Sequence, residues 1–305
     1  MPKNIKEIER KAQIQRIRAS KMTEPVRVPN GESPQLQKLT GIRAVVFDVY
    51  GTLISSGVGD ISLASQSNRD ASLRASLVEN GFKLSDASHA QALDQRLNAI
   101  ICKHQAKRRS EGVDYPEVEI RSVWQDLIHT MREENWIDSA QSGEIENCVI
   151  DYECRVNPTQ AMPNLLDALQ TIQERGLMMS IISNAQFYTE LLFEAWANQS
   201  IESLNFSPAC NVWSYQELIA KPSAQLYTIA ANRLFKQHAI DATEVLYIGN
   251  DMRNDIWPAQ KIGFKTALFA GDERSLRRRE NDPDCTYVVP DLVLTDLAQI
   301  IDCLV

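Results

Sequence analysis

The feature that constrains this sequence most is a series of short apolar runs set between stretches of helical periodicity. Ile42 to Phe47 runs into Asp48, and similar runs recur at Leu177 to Ser183, Asn211 to Trp213, Val245 to Gly249 and Phe264 to Phe269. Runs this short and continuous read as strands buried on both faces. Between them Asn164 to Arg175, Phe187 to Asn198 and Ser223 to Lys236 carry helical patterns; in the last, Leu226, Ile229, Ala230 and Leu234 share one face. Strand alternating with helix predicts an α/β fold, a parallel sheet with helices on both faces. Ligands of such sheets sit at the carboxyl ends of the strands.

The alternation is interrupted by a stretch of helical pattern, with helices expected at Ala87 to Arg109, Pro116 to Glu133 and Gly143 to Val156 and no strand. Inserted just after the first strand, this block is expected to stand over that strand's carboxyl end as a lid. The expected division is a basic extension over 1–40, a core over 41–55 and 158–305, and a helical cap over 56–157. The tail reads as a short strand, Thr286 to Val289, and a closing helix.

Charge narrows the partners. The net charge is −8, yet residues 1–21 hold seven Lys or Arg against two Glu, so that segment is +5 and the rest −13. An acidic body argues against a nucleic-acid binder. The basic arm, with Ile5, Ile8, Ala12 and Ile17 at loosely helical spacing, reads as a docked or frayed tail, a partner or membrane contact being the alternative. No run approaches the roughly 18 apolar residues of a membrane span, and the N-terminus lacks the apolar centre of a secretory signal. The six cysteines lie far apart with no C-x-x-C pair, which fits a reducing cytoplasm. Oligomeric state is left open.

Four places at the ends of predicted strands hold polar residues that packing does not require. Asp48, before the turn Gly51-Thr52, is placed to serve as nucleophile or metal ligand, or as a turn cap. Ser183-Asn184 lies at a strand-to-helix junction suited to an anionic oxygen, or to a plain helix cap. Lys221-Pro222-Ser223 puts an ammonium at a helix start, where an exposed lysine is the ordinary alternative. Gly249-Asn250-Asp251 through Asp255 gathers oxygen donors suited to a hard cation such as Mg²⁺, or forms an Asx-rich turn.

Taken in order, Asp-x-x-Gly-Thr, Ser-Asn, Lys-Pro and Gly-Asn-Asp-x-x-x-Asp, each after an apolar strand, resemble the haloacid dehalogenase-like hydrolase superfamily. The resemblance covers Ile42 to Leu53 and about Pro158 to Ala270, and implies a Rossmann-like core with a helical cap. It makes Asp48 a nucleophile that forms a covalent aspartyl intermediate, with Thr52 supporting its loop. Ser183 and Asn184 would bind the transferring group, and Lys221 would steady the nucleophile. Asp255 or Asp251 would orient Lys221, and a Mg²⁺ ion would rest on Asp48, the Tyr50 backbone carbonyl, Asn250 and Asp251.

Two departures from the family pattern matter. Family phosphatases carry a second Asp two residues after the nucleophile, where this chain has Tyr50; a phenol of pKa about 10 is a poor general base. Asp-x-Tyr-Gly-Thr resembles instead the dehalogenase branch, whose halide leaves without a proton and without metal. Conversely, the 249–251 loop resembles that of Mg²⁺-dependent members, although Asn250 replaces the commonest acid. The leading expectation is a Mg²⁺-dependent phosphatase acting on a small phosphorylated metabolite. A metal-independent 2-haloacid dehalogenase is the rival, and a low-turnover binding protein of the same fold is third. In each case the partner is a small anionic molecule, which the run Lys103 to Arg109 could meet from above, unless that run is an exposed helix face.

Overall fold

The computed structural model describes residues 3–20, 26–57, 66–86, 88, 92–138 and 143–305. Strand β1 (Ala44–Phe47) lies in the middle of the main sheet, between β4 (Met178–Ser183) and β6 (Val245–Gly249), parallel to both. Beyond β4 comes β5 (Val212–Trp213); beyond β6 come β7 (Lys265–Phe269) and β8 (Leu292–Leu294). The described strands of this sheet thus run β5-β4-β1-β6-β7-β8, parallel throughout. The order turns back at β1, which opens a crevice beside its carboxyl end.

The pleat explains why the strands read as unbroken apolar runs. Val45, Phe47, Met179, Ile181, Leu246 and Ile248 join one buried cluster, while Ala44, Val46, Ile182, Val245 and Tyr247 join another. Successive side chains therefore bury against opposite faces. Helices α6 (Leu165–Glu174), α7 (Thr189–Trp196) and α11 (Ile300–Cys303) share the first cluster, and α9 (Ala224–His238) and α10 (Trp257–Ile262) the second. A one-turn helix α8 (Ser214–Glu217) follows β5.

The helical block comprises α2 (Gln66–Glu79), α3 (Leu93–Ser110), α4 (Ile120–Glu133) and α5 (Ile145–Val156). The expected helix from Ala87 begins partly outside the described residues. On α4 the periodicity buries Val123, Trp124, Leu127, Ile128 and Met131. The block is entered and left through an antiparallel pair, β2 (Ile54–Ser56) and β3 (Thr159–Ala161). The sequence hides this pair, because Ser55, Ser56, Thr159 and Gln160 break any apolar run.

The basic arm is docked. Helix α1 (Lys3–Ala19) buries Ile14 and Ile17 and packs against α5 and α7, while Ile8 is exposed and the side chain of Ile5, like Lys21, lies outside the described residues. Its basic residues grip both parts of the molecule. Arg10 pairs with Glu194 and Arg18 donates to the Ala195 carbonyl (2.9 Å), whereas Arg16 donates to Asn80 (2.8 Å) and stands 3.6 Å from Asp151.

One predicted strand is corrected. Thr286 and Tyr287 end a turn and Val288 and Val289 are irregular, with Tyr287 and Val289 exposed, and the final described strand is β8, three residues further on. Leu292, Val293 and Leu294 are buried and bond to β7; the earlier segment has the composition of a strand but no sheet edge beside it. Among the described residues no helix is long and apolar enough to cross a membrane.

Candidate active site

The ladder that pairs β1 with β6 continues one step past the strand, where the Asp48 amide donates to the Ile248 carbonyl (2.9 Å). This fixes the Asp48 side chain in the crevice, nearly buried. Its Oδ1 accepts from the Ser183 hydroxyl (2.7 Å) and from the Lys221 ammonium (2.8 Å). Oδ2 has no hydrogen bond among the described residues, so one carboxylate oxygen is held and the other is not.

Lys221 also donates to Asp255 Oδ1 (2.6 Å). Asp255 is oriented in turn by the Tyr247 hydroxyl (3.0 Å) and the Asp251 amide (2.9 Å). Two carboxylates thus share one buried ammonium. Burial alone would push the Lys221 ammonium down, but the charges of Asp255 and Asp48 outweigh it and hold it above its usual range. Burial pushes Asp255 up to about 6 against the pull of Lys221, with Asp48 and Asp251 adding to the rise.

Asn184 lines the crevice and also holds the backbone of this lysine. Its Oδ1 accepts from the Lys221 amide (2.8 Å) and its Nδ2 points at the Lys221 carbonyl (3.5 Å), beside the cis Lys221-Pro222 bond. Thr52 likewise supports a neighbour, donating to Asn250 Oδ1 (3.2 Å).

Two glycines permit the close approaches. Gly51 has φ +80°, and a Cβ there would lie 2.6 Å from Ser275 Cβ and 2.7 Å from Asn250 Nδ2. A Cβ on Gly249 would lie 2.4 Å from Asp255 Cγ. Gly249→Ala is therefore expected to displace Asp255 from Lys221, lowering stability by about 1–3 kcal/mol and activity with it. Urea unfolding alongside turnover checks this, and unchanged values in both would refute it.

The residues expected to hold Mg²⁺ are largely committed elsewhere. Asn250 spends its amide group on the Ser275 carbonyl (2.6 Å) and receives Thr52 on its oxygen. Asp251 caps the π turn Met252–Ile256 through Arg253 N (2.9 Å) and is gripped by Arg279 (2.6 Å). Both contacts arise because the segment after β7 zips onto this loop, Arg277 N bonding the Asn250 carbonyl and Met252 N the Arg277 carbonyl. What remains is the Tyr50 carbonyl and one carboxylate, Asp48, already paired with Lys221, with Arg277 and Arg279 lining the same crevice. In this arrangement Asn250 and Asp251 brace the loop through these bonds, and a divalent cation bound there would have to displace some of them.

Tyr50 does not replace the missing acid. Its hydroxyl bonds Thr189 Oγ1 (3.0 Å), and burial drives the phenol well above its usual range, the Thr189 bond opposing and the charges of Glu153 and Asp48 adding to it. The crevice, about 670 Å³, is walled on the block side by Ile101, Gln105, Glu117, Val118 and Glu153. Apart from Gln105, which falls within the Lys103 to Arg109 run, none of these is marked by a sequence motif. On α3, Ile101 and Gln105 face the site while Lys103, Lys107 and Arg109 are exposed, and His104 bonds Asp126 (2.8 Å). Burial pushes the Glu153 carboxyl up to about 7, a bond from Tyr188 and the charge of Arg69 opposing.

The family model for haloacid dehalogenase-like hydrolases matches residues 42–263. The chain belongs to this family. No functionally curated protein matches it. Among solved structures it resembles a 2-haloacid dehalogenase from Pseudomonas syringae pv. Tomato DC3000 at 18% identity, covering 86% of this chain and 97% of that one, with a TM-score of 0.54. An L-2-haloacid dehalogenase from Xanthobacter autotrophicus (19%, 86% and 97%, TM-score 0.47) and a HAD phosphatase from Thermococcus onnurineus (13%, 86% and 97%, TM-score 0.49) are also similar. At 18% identity the first of these likenesses speaks for the fold alone.

Proposed function

We propose that this family hydrolase forms an ester on Asp48 and expels a leaving group that needs no proton, with 2-haloacids as the substrate class. The observation that carries the reading is Tyr50, whose phenol bonds Thr189 and is held far from the range of a useful acid. An alkoxide departing from a phosphoester requires a proton; a halide does not. In this reading Asp48 Oδ2 attacks the carbon bearing the halogen, the carbon–halogen bond breaks with its electron pair leaving on halide, and water then cleaves the ester at the Asp48 carboxyl carbon. Ser183 and Lys221 hold Oδ1 throughout, and Arg277 and Arg279 line the crevice that would receive the single charge of a haloacid.

A second reading, Mg²⁺-dependent phosphoester hydrolysis, draws support from the Gly249-Asn250-Asp251 loop. The ion would rest on Asp48, the Tyr50 carbonyl and Asn250, and for that Asn250 would have to give up its bond with Thr52. The two readings separate in one assay. Halide release from 2-chloropropionate, unchanged by EDTA, is expected; phosphate release from small phosphoesters that requires Mg²⁺, with no halide release, overturns the first reading in favour of the second.

A further inference from the structure

Resting on the haloacid reading above, we infer that Arg277 is the residue that anchors the substrate's carboxylate in the crevice. It belongs to the run Arg274-Ser275-Leu276-Arg277-Arg278-Arg279 after β7, which coincides with none of the four motifs. Three of these four arginines are engaged with acids: Arg274 with Asp272 (3.2 Å), Arg278 with Glu32, and Arg279 with Asp251 (2.6 Å). Arg277 is the exception. Among the described residues its side chain bonds only to carbonyls, Nη1 donating to those of Arg274 (2.7 Å) and Leu276 (3.0 Å). Both hydrogens of Nη1 are thereby used, which leaves the Nε–Nη2 edge of the guanidinium, two parallel N–H groups spaced to fit a carboxylate.

The crevice needs such a charge. Lys221, Arg277 and Arg279 all line it, but Lys221 is divided between Asp48 and Asp255, and Arg279 is paired with Asp251. An anion arriving beside Asp48 meets a carboxylate of its own sign. A guanidinium without a carboxylate of its own is what can offset that repulsion.

Main-chain bonds hold Arg277 near the nucleophile. Asp48 N bonds the Ile248 carbonyl (2.9 Å), and two residues further along the same segment the Asn250 carbonyl accepts from Arg277 N (2.9 Å). Two residues of extended chain span about 7 Å, so the main chains of Asp48 and Arg277 are no more than about 13 Å apart. An arginine side chain from one end and an aspartate holding a three-carbon acid at the other close that gap. The two carbonyls that seat the guanidinium also flank Ser275, whose hydroxyl donates to the Gly51 carbonyl (3.3 Å) and whose own carbonyl accepts from Asn250 Nδ2 (2.6 Å). The seat is therefore packed on the loop that carries Asp48. Fixed by its amide and by Nη1, the guanidinium loses little freedom when the acid binds.

The test follows halide release from 2-chloropropionate in wild-type protein, Arg277→Met and Arg277→Lys, alongside thermal unfolding of each. Loss of a charge-assisted pair predicts a KM about 10–100-fold higher in the Met variant, with kcat changed by less. The Lys variant, which keeps the charge and lacks the fork, is expected to fall between the two. A role confined to bracing the 274–276 turn would lower the unfolding temperature and kcat and leave KM at its wild-type value, and that result overturns the inference. Should the Met variant not fold, a wild-type KM in the Lys variant overturns it equally. Wild-type protein that releases no halide overturns the haloacid reading instead, and propionate, the carboxylate without the leaving group, then decides the role of Arg277. A rise in unfolding temperature with propionate that is larger in wild-type protein than in the Lys variant supports the anchor, and no difference between them overturns it.

Discussion

Asp48→Asn is expected to stop turnover, by on the order of 10⁴–10⁶-fold as for loss of other enzymic nucleophiles, in a protein that remains folded. The amide oxygen can still accept from Ser183 and Lys221, which now meet on Oδ1, so the crevice keeps its shape. What vanishes is the unbonded Oδ2, replaced by a nitrogen with no lone pair to offer a carbon or phosphorus centre. The variant also removes one of the two negative charges on Lys221, leaving Asp255 as its counterion. Turnover assays together with near-ultraviolet circular dichroism measure both halves, and a folded Asn variant that works at wild-type rate would exclude the covalent route.

Lys221→Met should have the largest effect on stability. It leaves Asp48 and Asp255 buried without the ammonium they share, and breaking a buried pair from one side costs about 3–5 kcal/mol. The deficit is expected to depend on pH. Burial pushes Asp255 up to about 6 even with Lys221 in place, and without the lysine its folded pKa is expected to rise further. A group whose folded pKa is raised binds its proton more readily folded than unfolded, so stability increases as pH falls through that range. Urea unfolding at pH 8 and at pH 5 should therefore show a larger loss at pH 8. Equal losses would mean that packing of the lysine stem, and not charge, is what the site depends on.

The reactive set was legible because a parallel sheet does the assembling. Asp48 and Ser183 are separated by 135 residues, yet each ends a strand, and neighbouring strands running the same way bring their ends together. Lys221 and Asp255 follow by the same logic from the starts of the next helical segments. The bonds that brace Asn250 and Asp251 were not legible, since their partners Ser275 and Arg279 sit in a segment after β7 that has no periodic pattern to announce it. Glu153 escaped for a different reason. Residues 148–152 of α5 are all buried, so the helix has no single apolar stripe from which to tell the side facing the crevice. The β2–β3 pair was invisible because its strands are three residues long and largely polar.

The family match ends at residue 263 and begins at 42, and every motif residue falls within it. The docked α1, Ser275 beneath Asn250, Arg279 on Asp251 and two strands of the sheet fall outside. A fragment trimmed to the match would keep all the reactive groups and lose the pieces that hold them still, including the clasp that ties α5 to α7 through Arg10, Arg16 and Arg18. The length of chain that carries the likeness is thus shorter than the length that makes a working crevice.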